Sequence, residues 1–306
     1  MNYASRSNLL VAAVLLILFT VMSLPGCGSG KVTFDGDRAY VYLTEQCDFG
    51  PRNPGSDGAS KALEYFKAFF ETRLDTVELQ NFEFTDTISD TTFSDLTNII
   101  ARFNPGRLPR VLLCAHWDTR PYADMDPNVA LQNQPILGAN DGASGCAVLM
   151  ELANLLPHID CPYGVDIVLF DAEDYGESGN LDYYCIGSKY YVENIDQGHY
   201  AFGILLDMVG ATDMRIYRER YSHMYAKRIV DQVWSEAAEQ GASHFVDSIK
   251  HTVYDDHLPF LEKGIPVIDI IDFDYPSWHT QADTPDKCSP SSLAAVGKVL
   301  LALLSR

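Results

Sequence analysis

Four short apolar runs constrain this chain more than any other feature: residues 111–116 (VLLCAH), 165–171 (VDIVLFD), 202–208 (FGILLDM) and 265–271 (IPVIDII). Each has strand length, is rich in branched or aromatic residues and lacks polar alternation, which is the pattern of a strand covered on both faces. Helical spacing separates or follows them at 142–156, 221–240 and 291–304. Ahead of them a helical pattern over 59–73 aligns Leu63, Phe66, Phe69 and Phe70, and strand-like runs cover 76–84 and 95–103. Apolar strands alternating with amphipathic helices predict an α/β fold of three layers, a mostly parallel mixed central sheet with helices on both faces. A chain of 306 residues supplies one large core, so residues 38–306 are expected to form a single domain.

The N-terminus has its own logic. Arg6 precedes an apolar run over 9–22, and Leu24-Pro25-Gly26-Cys27 follows. The run falls short of the roughly 20 residues a spanning helix needs and has the layout of an export signal. The LPGC ending resembles the lipobox of bacterial lipoproteins. That resemblance implies a lipid on Cys27, a polar tether over 28–37 and a membrane-anchored protein facing the periplasm, with ordinary cleavage or an uncleaved anchor as alternatives. Six more cysteines, Cys47, Cys114, Cys146, Cys161, Cys185 and Cys288, contain no CxxC pair, which argues against a zinc-thiolate site and leaves any disulfide pairing open. With 22 basic residues against 42 acids and a net charge of −20, the chain lacks the footprint of a nucleic-acid binder.

Polar residues gather where the strands end. His116 and Asp118 close the first run, Glu173 and Asp174 follow the second, and Asp207 closes the third. Asp255, Asp256 and His257 precede the fourth, and Trp278 and His279 follow it. Ligands of open α/β sheets bind outside the carboxyl ends of the strands, so these groups are expected to converge. Acids and imidazoles facing one crevice with few adjacent Lys or Arg call for a divalent cation, and an oxygen and nitrogen donor set without thiolate suits catalytic zinc. Asp141 in PILGANDGASGC reads equally as a helix N-cap or as a metal ligand at a strand-to-helix junction.

HWD at 116–118, GANDGASG at 138–145, FDAED at 170–174, LLDMVGA at 205–211, DDHLPF at 255–260 and WHT at 278–280 together resemble the glutaminyl cyclases of the zinc-aminopeptidase clan, in their exported bacterial form. The resemblance implies a zinc enzyme that converts the N-terminal Gln of peptides or proteins into pyroglutamate with release of ammonia. It implies Asp141, Asp174 and His279 as ligands of one zinc ion, and Glu173 as the proton shuttle. Asp255 would hold the substrate amide with Asp207 as its acidic neighbour, and Trp278 would wall the pocket. Animal cyclases carry Glu where Asp174 stands, and an Asp reaches one methylene less far. Their second pocket Trp has no counterpart in the loop after Asp174, and Trp117 or Tyr122 is expected in its place. His116, Asp118 and His257 are expected to support the site, and Tyr183 and Tyr184 to pack under the loop. The rival reading is a two-zinc aminopeptidase, whose five ligand positions are filled by His116, Asp141, Asp174, Asp207 and His279. The single zinc follows if Asp255 hydrogen-bonds Asp207 and the His116 imidazole is turned away.

Overall fold

The computed structural model describes residues 32–176, 179–195 and 199–306. Cys27 and the export segment lie outside the described residues, as do Glu177 and Ser178 in the loop after Asp174.

The elements run α1 (Gly36–Asp48), α2 (Asp57–Glu71), β1 (Thr76–Asp86), β2 (Thr91–Phe103), β3 (Arg110–His116), α3 (Ala143–Leu155), β4 (Gly164–Phe170), α4 (Ile186–Glu193), β5 (Phe202–Asp207), β6 (Ile216–Arg218), α5 (Arg220–Tyr225), α6 (Lys227–Glu239), β7 (Phe245–Ile249), α7 (Leu258–Glu262), β8 (Val267–Ile271) and α8 (Pro290–Leu304). Six strands form one sheet in the order β1-β2-β4-β3-β5-β8. β4, β3, β5 and β8 are parallel, and β1 and β2 add an antiparallel flank. The expected three-layer, mostly parallel mixed sheet is what forms.

Burial follows the residue pattern. Every residue of β3, β4, β5 and β8 is buried. α3, almost wholly buried, lies against β3 and β5 beneath α1 and α8, while α4 and α7 cover the opposite face around Leu112, Val168, Phe170, Tyr191 and Phe260. Helix starts are marked by polar caps. Asp35, Ser56 and Ser289 each accept a backbone N–H in the first turn of α1, α2 and α8, and Pro290 occupies the first position of α8 where no N–H is needed.

Three expectations shift. The folded unit starts at Val32 and not at 38, because Phe34 is buried against α8, where a Cβ on Gly297 would sit 2.2 Å from the Phe34 ring. The helix expected over 221–240 is two, α5 and α6, divided at Ala226 (φ −131°, ψ 33°). The small β6–β7 ribbon, α1, α4 and α7 are additions to the sequence reading. No helix among the described residues is long and apolar enough to cross a membrane. The six cysteines from Cys47 to Cys288 are buried free thiols.

Candidate active site

The polar groups converge at the carboxyl ends of β3, β4, β5 and β8. His116 is the last residue of β3 and Asp207 the last of β5, while Glu173 and Asp174 lie just past β4. Asp141 leads into α3, Asp255 into α7, and Trp278 and His279 lie beyond β8. Asp141, Glu173, Asp174, Asp207, Asp255, Trp278 and His279 all line one cavity of about 200 Å³, with Leu181, Tyr184, Tyr254 and Phe273.

Two donor sets share Asp141. In the first, His279 Nε2 lies 3.3 Å from Asp174 Oδ1 and 3.7 Å from Asp141 Oδ2. In the second, His116 Nε2 lies 3.1 Å from Asp141 Oδ1 and 3.2 Å from Asp207 Oδ1. The sets differ in what remains unpaired. Asp141 Oδ2 and Asp174 Oδ2 are buried and accept nothing, whereas the oxygens near His116 already meet its imidazole. Bare buried acceptors beside an imidazole, with no thiolate in the set, fit a divalent zinc ion. His116 is therefore turned toward Asp141 and Asp207, contrary to the expectation that it turns away. No hydrogen bond joins Asp255 to Asp207; Asp255 Oδ1 instead accepts the Asp256 N–H at 2.6 Å, and Oδ2 is unpaired.

The geometry divides the adjacent acids Glu173 and Asp174. Asp174 joins Asp141 and His279, while Glu173 forms a close group with Cys185 and Asp255, the Cys185 thiol donating to Glu173 Oε1 at 3.4 Å. Asp118 orients both by accepting the Glu173 N–H at 3.0 Å and the Asp174 N–H at 3.2 Å. Burial pushes the Glu173 carboxyl well up, and the charges of Asp174, Asp255 and Asp256 push further against the opposing pull of His116. Asp255 rises for the same first reason, burial, followed by the charges of Asp207 and Asp256. Burial would raise Asp174 as well, but His279 and Arg120 reverse the direction and hold it low.

Local sequence makes these positions possible. A Cβ on Gly142 would lie 2.6 Å from the His116 carbonyl oxygen and 2.7 Å from its ring, so only glycine lets α3 start this close to the imidazole. Four non-glycine residues at the site have left-handed backbones, Ala172 (φ 54°), Cys185 (φ 55°), Met208 (φ 48°) and His279 (φ 56°). Such strain costs on the order of 1 kcal/mol or more per residue and persists where the surroundings over-determine it.

Two pocket expectations are corrected. Trp117 is 2% exposed and packs away from the site: its ring meets Phe66 edge-on at 6.2 Å and its indole N–H donates to the Thr97 carbonyl at 3.1 Å. Strand alternation sends His116 and Asp118 to one side and the residue between them to the other. Tyr122 stays at the surface, 37% exposed, outside the cavity lining. Tyr184, expected under the loop, has its ring against Gly176 of that loop and also lines the cavity. Trp278 lines the cavity, its ring 3.8 Å from that of His279 and 5.1 Å from that of Phe273. His257 is buried, 3.3 Å from Glu219 Oε2.

Sequence reasoning missed the groups that hold the ligands. Asp283, pushed up to about 7 by burial, accepts the N–H groups of Asn140 and Asp141 and the Tyr275 hydroxyl. Arg52 donates to the carbonyls of Trp117, Leu137 and Gly138 and fixes the loop before Asp141. Arg120 and Asp124 brace Asp174 and His279. For Arg120 and Asp124 the one signal was the length of the connection from β3 to α3; Arg52, in the short link between α1 and α2, had none.

The model of peptidase family M28 matches residues 98–304, spanning the parallel strands and every residue of both donor sets. The crystal structure of Bacteroides thetaiotaomicron glutaminyl cyclase bound to N-acetylhistamine is similar, with TM-score 0.86 and 37% identity over 90% of this chain and 99% of that one. A zinc-dependent exopeptidase from Parabacteroides distasonis matches with TM-score 0.86 and 33% identity over 90% of this chain and 100% of that one. A glutaminyl-peptide cyclotransferase-like protein of Bos taurus is 24% identical over 287 residues, which is 83% of this chain and 71% of the relative. On the span of the family match and this degree of likeness, the chain belongs to peptidase family M28, alongside the bacterial glutaminyl cyclases.

Proposed function

We propose that this protein is a zinc-dependent glutaminyl-peptide cyclotransferase. The observation that carries the reading is the pairing of two unlike groups in one small cavity: the Asp141–Asp174–His279 set with bare oxygens, and the buried acids Glu173 and Asp255 facing the same space. A cavity of about 200 Å³ suits one terminal residue and leaves the rest of a peptide outside.

In the reaction the α-amine of N-terminal Gln forms a bond to its own side-chain amide carbon. The carbon–nitrogen bond of that amide breaks, ammonia leaves and pyroglutamate remains. Zinc held by Asp141, Asp174 and His279 would supply Lewis-acid polarisation of the amide carbonyl. Glu173 takes the proton from the attacking amine and returns it to the departing nitrogen. Its raised affinity for protons brings it toward the range where a carboxyl both takes and gives one. Asp255 accepts a hydrogen bond from the amide nitrogen, and the Trp278 ring packs on the substrate's short aliphatic stem.

A single zinc is favoured because the bare buried oxygens, Asp141 Oδ2 and Asp174 Oδ2, stand beside His279, whereas Asp141 Oδ1 and Asp207 Oδ1 already meet His116. The second set keeps a two-zinc aminopeptidase as the rival reading, since His116, Asp141 and Asp207 could hold another ion. One experiment separates them: peptides beginning with Gln or with Leu are incubated with wild type and Asp255→Asn, products are read by mass spectrometry, and zinc is counted per chain. Loss of ammonia without shortening, one zinc, and cyclisation reduced about 10- to 100-fold in the variant at unchanged zinc content are expected, the scale of a buried polar group left without its partner. Two zincs with Leu released equally by both proteins would establish the peptidase. Export and lipid anchoring through Cys27 rest on the N-terminal pattern alone. Membrane fractionation of Cys27→Ala tests them, and unaltered membrane retention with unaltered mobility would end the lipoprotein reading.

A further inference from the structure

Arg120 is 1% exposed, and its donors are divided between Asp124 and the ligand Asp174. Nε and Nη2 grip the two oxygens of Asp124 at 2.8 and 2.7 Å, and Nη1 donates to Asp174 Oδ1 at 2.8 Å and to the Asp174 carbonyl at 3.3 Å. Asp124 Oδ1 in turn lies 3.4 Å from His279 Nδ1, and the Met125 N–H donates to the His279 carbonyl at 3.2 Å. One buried guanidinium thus touches Asp174 directly and His279 through a single carboxylate.

We propose that Arg120, with Asp124, is a positioning residue that presets the zinc site. The clamp fixes the direction of the Asp174 carboxyl. With Oδ1 occupied by Arg120, Oδ2 is the oxygen left for the metal. With Nδ1 of His279 directed at Asp124, Nε2 is the nitrogen presented to Asp141 and Asp174. The planar fork is what allows one side chain to serve Asp124 in bidentate fashion and Asp174 at the same time, which a lysine ammonium cannot do.

This inference rests on Asp141, Asp174 and His279 as the zinc ligands. The test is the zinc dissociation constant of the full chain, by competition with a chromophoric chelator, for wild type, Arg120→Met, Arg120→Lys and Asp124→Asn, alongside the melting temperature of each metal-free protein. Arg120→Met should bind zinc about 10- to 100-fold more weakly, the usual effect of removing a partner of a metal ligand. Arg120→Lys should not restore it, and Asp124→Asn should show a smaller loss in the same direction. A lowered metal-free melting temperature with unchanged zinc affinity would make Arg120 merely structural and overturn the proposal. If Arg120→Met does not fold, Asp124→Asn, at a partly exposed position, decides on the same readout. A wild type that takes up no zinc would overturn the ligand assignment, and the clamp with it, whereas a zinc-binding wild type with indifferent variants removes the clamp alone.

Discussion

Two groups of buried acids share the end of this sheet, and they are kept in opposite ways. Asp141 and Asp174 have cations at hand: His116, His279 and the Arg120 guanidinium all lie within 4 Å of one or the other, and they hold Asp174 low, while burial and the charge of Asp174 still raise Asp141 against the pull of His116. Glu173, Asp255, Asp256 and Asp269 have mainly burial and one another. Burial lifts all four, Asp256 to about 7, and both oxygens of Asp256 and Asp269 are unpaired. The contrast teaches that an acidic motif does not by itself say whether an acid will hold a metal or a proton. Neighbouring positive charge favours the ionised carboxylate that a metal needs, and its absence favours the protonated form.

The comparison breaks most visibly at Glu173. If it belongs to the proton-holding group, Glu173→Gln should retain zinc while turnover falls on the order of 10²- to 10⁴-fold, the range of general acid–base help. Metal analysis beside steady-state kinetics reads both. Zinc lost along with turnover would move Glu173 into the metal group, and undiminished turnover would remove it from the chemistry.

A smaller effect sharpens the boundary behind Asp255, at Glu219. Burial pushes this carboxyl up, but the contact with His257 and the N–H groups of Ser222 and Tyr221 prevail and hold it at about 2, against an ordinary 4.5. A lowered carboxyl stabilises the fold wherever it is ionised in both states, so the contribution is complete above about pH 4.5 and fades as pH falls toward 2. Glu219→Gln should cost on the order of 2 kcal/mol at neutral pH and progressively less below pH 4.5. Urea unfolding at pH 7 and near pH 3 measures it. A difference that stays constant with pH would mean that packing, and not charge, is what Glu219 contributes.

The sheet was legible because β3, β4, β5 and β8 are short runs dominated by apolar residues, a pattern with few other outcomes. Most of the candidate residues were legible because they stand near a strand end, whereas Asp141, well past β3 at the start of α3, was singled out through the family resemblance. What escaped notice depends on partners far apart in the chain. α1 carries Arg38, Thr44 and Gln46 among few large apolar residues, and it is placed by Phe34 and by the buried Glu151 that receives Arg38. Trp117 beside a reactive His looked like a pocket wall, but alternation along the chain directs it into the core. Arg120 looked like one more loop cation, and only the approach of Asp174 across 54 positions gives it a task.

The size of the cavity has an ecological side. A recess of this size takes in the first residue, so under the proposed reaction the targets are drawn from chains that present a free, frayed terminus. Processing proteases, by choosing where new termini arise, would then share in setting the enzyme's workload.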